Sequence, residues 1–453
     1  MSVVRPAAEP ASPARSEARV RAAAAARGGD GRAFAVAAVP IACPDTPFDA
    51  FRRAQGAVRF AFVQPDRRLA LIGTGIAAAW RLGAPGPIGE AAAILRGMPP
   101  VTVVGDPPPR QLPITFAGFA FAPGPRAPHW APFGDGLLVV PRELLFVEGD
   151  DAWHVSTELV DASGVPVPCG LPDLPAAREG GDHAATEAEW TSAVLRALDR
   201  ISRGEASKVV VAREALLCEY RAADEVLPLL AERFPTCTVF AVDLGGPCFL
   251  GATPERLAAV ARGTFELMAL AGTAPRGADP REDEAIAARL LADRKEREEH
   301  AVVVKALCED VAPLAVELKV DAEPGVVRLP NLQHLRTMFR GQLRSGASLF
   351  DLAARLHPTP AVCGMPRDAA ARIIADVENF DRGWYAGPLG WVDGSGDGEL
   401  VVALRSALLV PEEPARLFAG CGIVARSDPE REFAESNLKL RAIRSVLAPE
   451  TET

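Results

Sequence analysis

Between Phe34 and about Val147 the chain is a succession of short apolar stretches, each cut off by Pro or Gly before a helix could propagate. LALIGTG, VTVVG, ITFAGFAFAP and GLLVVPRELLFV are the clearest of them. Apolar runs of this length bounded by breakers read as strands, because Pro removes a backbone donor and Gly loses the most freedom in a regular element. The GTG of LALIGTGIAAAW lacks the GxGxxG spacing of a dinucleotide loop, so a tight turn after a strand is predicted.

Beyond a polar connection over Pro166–Asp182 the texture changes. Thr186 and Glu189 have the spacing of a capping box. Trp190, Val194, Ala197, Leu198 and Ile201 then recur at helical spacing, predicting a helix with one face on the core. KVVVARE, TVFAVDL, CFLGA and FELMALAG read as strands. REDEAIAARLLADRKEREEHAVVVKALCEDV reads as helix broken near Ala292–Arg294, and a final helix is predicted from about Pro429 to Val446. No short internal repeat is present. The class is α/β or α+β with much antiparallel sheet.

At 453 residues the chain can bury a large core, and length alone suggests two or three domains. A formal net charge of −10 argues against a sequence-independent grip on nucleic acid or an anionic membrane surface. An anionic substrate would then need a local cluster of cations or a bound metal. The eight cysteines are scattered without a CxxC pair, which disfavours zinc fingers and a disulfide framework and suits a reducing cytoplasm. No apolar run approaches the length of a membrane span. Residues 1–32, rich in Ala, Pro and Arg, lack the apolar core of a secretory signal and are expected to be a disordered extension ahead of a domain over 33–450.

Glu296 and Glu299 are three apart in a predicted helix and share a face; Glu432 and Glu435 repeat the spacing in the last helix, with Lys439 one turn on. Four carboxylates on two helices could converge on a hard cation such as Mg²⁺, although such pairs are more often solvated helix decoration. Lys208 opens an apolar strand, either as its solvent end or as a buried general base. Glu255, in GATPER between two strands, is either a turn residue or an acid whose pKa burial raises.

Taken in order, SKVVVARE, FLGATPERL, LAGTAPRG, DRKEREEH, NLQHL, LHPTPAVCGMP, FDRGWYAGPLGW, ALRSALL and FAGCGIVARSDPEREFAESNLKL resemble the chorismate-binding enzyme family, over about 186–447. ITFAGFAFAP resembles the family's N-terminal sheet segment. The resemblance implies a single large domain of two layered, mostly antiparallel sheets with helices outside, like the large subunit of anthranilate synthase. It implies that Glu299 and Glu435 bind Mg²⁺, with Glu296 and Glu432 supporting them partly through water, and that the metal holds the ring carboxylate of chorismate. By the same resemblance Tyr385 and Arg405 hold the pyruvyl carboxylate, a role suited to a planar Arg fork. Backbone N–H groups around Gly422 assist, and Lys439 stands beside this carboxylate and the metal. Gly272 and Thr273 line the ring pocket. His334 matches a site histidine near the ring, or is a hydrogen-bonded structural imidazole.

Three positions bear on which family member the chain resembles. Lys208 stands where the water-adding enzymes carry their base, whereas the ammonia-adding anthranilate synthases carry Gln. Ala271 stands where aminodeoxychorismate synthases place a nucleophilic lysine. Ala361 replaces the Thr that anthranilate and salicylate synthases share, which favours stopping at isochorismate. The family's SGxPK loop reads CGMPR here, with Cys363 and Arg367, a change expected to be tolerated. The expectation is therefore an isochorismate synthase, an isomerase acting as a cytoplasmic monomer in a menaquinone, siderophore or related route. Lys208 would activate the water that attacks C2, and Glu255 would protonate the hydroxyl leaving C4. A salicylate synthase and a catalytically silent chorismate-binding protein are the alternatives.

Overall fold

The computed structural model describes residues 13–173, 186–328 and 332–448, without the side chains of Glu299 and Leu332. The part of the expected connection beyond residue 173 lies outside the described residues, up to Thr186. Among the described residues the strands form one twelve-stranded and one ten-stranded sheet. The only parallel pair among them joins Arg32–Ile41 to Val101–Gly105, at one edge of the larger sheet. The predicted strands are present: Leu69–Thr74, Val101–Gly105, Thr115–Phe119, Gly136–Val140 and Glu143–Glu148 before the connection, and Lys208–Leu217, Thr238–Leu244, Cys248–Thr253 and Thr264–Pro275 after it. The turn expected after LALIGT is made by Gly75 at φ 65°, a conformation that glycine adopts without steric cost.

The two sheets pack face to face over one core. Phe60 of the larger sheet stacks on Phe116 of the smaller, with ring centroids 5.1 Å apart. Trp130, Phe133, Phe249, Trp384 and Phe418 continue the aromatic layer. Each such ring, fully buried, contributes on the order of 1.5–3 kcal/mol. This shared core is why the length-based expectation of several domains gives way to one. The outer face of the larger sheet is covered by the helices Phe48–Arg53, Ala223–Arg233 and Pro429–Leu447 through a second apolar cluster.

Local signals set the helix ends. Thr186 accepts from the backbone N–H of Glu189 while the Glu189 side chain returns the bond, the predicted capping box. The predicted break falls at Asp293, which ends Pro280–Ala292 and caps Arg294–Val311 by accepting from the N–H of Glu296.

The N-terminal expectation needs correction. Pro13–Arg27 is a helix, with Ala18, Ala22, Ala23 and Ala26 buried. Three of these alanines pack with Ala33, Ala35 and Val160, and Arg19 pairs with Glu158 at 2.5 Å. Alanine has the highest helix propensity, and a stripe of it lets a helix sit close on a sheet. Composition alone predicts a disordered extension over the same residues. Residues 1–12 lie outside the described part of the chain.

Candidate active site

Lys208 is the first residue of a strand bordered by Gly364–Met365 on one side and Ala415–Val424 on the other. Lys208, Val210, Gly420, Gly422 and Val424 all line one cavity of about 400 Å³. Glu255 reaches it from a different kind of position. The chain leaves the larger sheet after Cys248–Thr253 and enters the smaller one at Arg256–Ala261, and Glu255 sits at the crossing. Its N–H donates to Thr253 Oγ1 at 3.2 Å, and its carbonyl accepts from Val402 N at 2.9 Å. Arg405 occupies a second crossing, between Gly398–Val402 and Ser406–Leu409, with φ 49°. The connections that tie the two sheets together thus deliver a carboxyl and a guanidinium to the same space.

Burial acts on these groups in opposite senses. It raises the Glu255 carboxyl to about 7, against the pull of Lys208, Arg405 and Lys439. It lowers the Arg405 guanidinium from its usual range. Among the described residues Arg405 has no ion-pair partner, so a half-buried, largely desolvated cation faces the cavity ready for an anion. Tyr385, stacked on Phe418 at 5.3 Å, is pushed up to about 12 by burial and stays a phenol.

Three of the four predicted carboxylates are brought to the cavity. Glu432 and Glu435 line the cavity from the last helix and Glu296 from the first turn of Arg294–Val311; the Glu299 side chain lies outside the described residues. Glu296 Oε2 accepts from Thr273 N at 3.3 Å. Lys439 Nζ lies 2.8 Å from Glu435 Oε1 and donates to Gly420 O at 2.8 Å. Burial and the nearby Glu435 raise Glu432, whereas Lys439 outweighs burial and lowers Glu435. For Lys439 burial lowers the pKa, but the Glu435 carboxylate bonded to it outweighs burial and the net shift is upward.

The opposite wall is built on a bulge. The pairing of Thr264–Pro275 with Leu332–Leu343 slips between Ala271 and Thr273, and Gly272 takes φ 80° there, as a bulge requires. A side chain at 272 would also crowd Glu296 Oε2 and Leu335. Thr273 Oγ1 lies 3.0 Å from His334 Nδ1, and burial holds that imidazole down to about 4, uncharged at neutral pH. Ala361 lines the cavity beside Val362.

Every site residue expected from the sequence thus faces one cavity, Glu299 aside. Sequence reasoning missed Arg382, which also lines it. Arg382 is buried against Glu378, donates to the Val362 and Val210 carbonyls and lies 4.2 Å over the Phe121 ring. The four-residue Glu378–Arg382 spacing was its one readable signal. Lys295, Arg426 and Arg431 add cations at the same cavity, which is how a chain of net charge −10 presents a positive site.

Residues 174–448 match the family model described as chorismate binding enzyme. A salicylate biosynthesis isochorismate synthase of Pseudomonas aeruginosa is 39% identical over 350 residues, 73% of each chain. The isochorismate synthase MenF of Bacillus subtilis is 36% identical over 355 residues, 75% of each. Among solved structures, the menaquinone-specific isochorismate synthase MenF of Escherichia coli superposes with a TM-score of 0.75 at 27% identity, covering 91% of this chain and 94% of that one. Anthranilate synthase component I of Streptococcus pneumoniae shares the fold, at a TM-score of 0.67 and 20% identity over 83% of this chain and 92% of that one.

Proposed function

Since the chain belongs to the chorismate-binding enzyme family, we propose that it is an isochorismate synthase that isomerises chorismate by adding water at C2 and releasing the C4 hydroxyl. The observation that carries the mechanism is the pairing, around one cavity, of Lys208 with the half-buried Glu255 carboxyl, which desolvation raises to about 7. Lys208 as the amine takes a proton from water, whose oxygen bonds to C2 while the ring double bonds shift. Glu255 as the acid gives its proton to the departing C4 oxygen, so one water enters and one leaves. Proton transfer by placed groups of this kind is worth about 10²–10⁴-fold, and holding the reactants together contributes much of the remainder.

Arg405 and Tyr385 suit the pyruvyl carboxylate: one is a cation without an ion pair among the described residues, the other a buried hydroxyl donor. Gly272, Thr273 and His334 border the ring, with His334 acting as a neutral hydrogen-bonding group. At Ala361 no hydroxyl is available to assist loss of the pyruvyl group.

The donor set fits Mg²⁺. Glu296, Glu432 and Glu435 offer carboxylate oxygens to one cavity, and ligand atoms of Glu432, Glu435 and Cys421 lie within 4.8 Å of one another. The Cys421 thiol, raised to about 12 chiefly by burial, keeps its proton and leaves the oxygens as the ligands. Bound there with Glu299, Mg²⁺ would offset the charge of the ring carboxylate and help to orient it. Eight free cysteines support a reducing cytoplasm, and we assign the chain there as a monomer.

The test is to incubate the purified chain with chorismate and Mg²⁺ and separate the products. Isochorismate without pyruvate, lost on chelation, is expected. Salicylate with pyruvate would overturn the product assignment, and absence of turnover would leave a chorismate-binding protein.

A further inference from the structure

Lys208 lies across from Val424, and Val210 across from Gly422, in the antiparallel pairing of Lys208–Leu217 with Ala415–Val424. Opposed residues of such a pair project to one face, and here that face is the cavity wall. Gly422 is therefore diagonal to Lys208. A lysine opening a strand can run outward to solvent, but this one turns along the sheet over position 422. A Cβ placed on Gly422 would stand 2.8 Å from Lys208 Cε and 3.5 Å from its Nζ. Two carbons in contact need about 3.5–4.0 Å.

No other contact within the protein calls for the glycine. Its backbone lies outside the left-handed region, and no other group beyond its chain neighbours would come within 4 Å of the added carbon. Gly420, two residues earlier, differs: a side chain there would crowd Ala212, Val211 and Tyr385.

We propose that Gly422 is the positioning residue for the catalytic base, its missing side chain leaving the passage through which Lys208 reaches the substrate. The role is steric, separate from any hydrogen bond its backbone makes to substrate, and it rests on Lys208 being the base. The clash falls on the far end of a flexible side chain. Alanine is therefore accommodated by displacing the ammonium group, and the damage appears in catalysis and not in folding.

The experiment compares full-length Gly422→Ala, Lys208→Ala and the double variant with the parent, using chorismate and Mg²⁺. Gly422→Ala is expected to keep the parent melting temperature and to lose about 10²-fold or more in kcat, the range of a base's contribution. Its KM should stay within about threefold, since no uniform binding contact is removed. The double variant should be no slower than Lys208→Ala alone, because both changes act on one group. Protein labelled at lysine ¹³Cε, with five lysines, gives a readout free of activity: the Lys208 resonance moves in Gly422→Ala and that of Lys439 stays. An unfolded Gly422→Ala, a retained kcat, a raised KM at unchanged kcat, multiplying losses or an unmoved Lys208 resonance would each overturn the proposal. An active Lys208→Ala would instead remove the base itself. A dead Lys208→Ala beside an active Gly422→Ala would sink only the role of Gly422.

Discussion

Glu255 and His334 face the same cavity, and burial drives them apart: the carboxyl rises to about 7 and the imidazole falls to about 4. At neutral pH the acid retains much of its proton while the histidine carries no charge. If Glu255 protonates the leaving hydroxyl, kcat falls as pH rises through about 7, and His334→Asn leaves that limb in place. A pH profile of the variant checks it, and loss of the limb would hand the proton to His334. The same shift bears on stability. The folded pKa stands above the ordinary 4.5, so the stabilisation from this group is fully present below that value and is lost as pH rises to about 7. Lys208→Ala should abolish turnover and leave chorismate binding with Mg²⁺ largely intact, measured by calorimetry. Glu435→Gln should raise the Mg²⁺ needed for half-maximal activity by about tenfold or more, as loss of a metal-site group does; an unchanged titration would discard it as a ligand. None of these roles was readable from one residue alone. Lys208 could have been a strand end and Glu255 a turn residue until the fold set both around the same space.

At the scale of elements, the last helix matters because four of its side chains, Arg431, Glu432, Glu435 and Lys439, line the site, and a buried arginine holds it in phase. Arg213 donates to Ser436 Oγ at 2.8 Å and to Asn437 Oδ1 at 2.6 Å, and lies 4.6 Å over the Phe433 ring. Ser436 and Asn437 follow Glu435 directly. Arg213→Met should therefore weaken Mg²⁺ binding without touching a ligand, and binding calorimetry would show it; unchanged affinity would mean the helix is held by its apolar face alone. The N-terminal helix is the opposite case. It packs on Arg32–Ile41 and Val101–Gly105, at the far edge of the sheet from the strand of Lys208. Ala22→Asp would bury an unpaired carboxylate and release the helix, since such burial costs several kcal/mol. Fast amide exchange over Pro13–Arg27 with an unaltered kcat is the expected result. Periodicity, caps and breaker residues made the long helices and most strands legible beforehand. The alanine helix was not, because its face is written in a residue too small to stand out by hydropathy.

For the whole molecule, the two sheets and the chain crossings between them explain why the site lies where it does. Glu255 and Arg405 stand at crossings, so their placement depends on the packing of the sheets, and hence on rings such as Phe60 and Phe116. Phe60→Ala should cost about 3–5 kcal/mol of stability, the usual range for a buried ring, and appear as a lower thermal midpoint. The residue types, the carboxylate spacing on two helices and the ordered segments that mark the family were legible beforehand, because all of these are local along the chain. Which groups meet was decided by tertiary structure alone: residues far apart in sequence, such as Lys208, Glu255, Arg405 and Glu435, share one cavity only after both sheets close. Their protonation was decided there too, because desolvation and neighbouring charge depend on distances that no linear spacing contains.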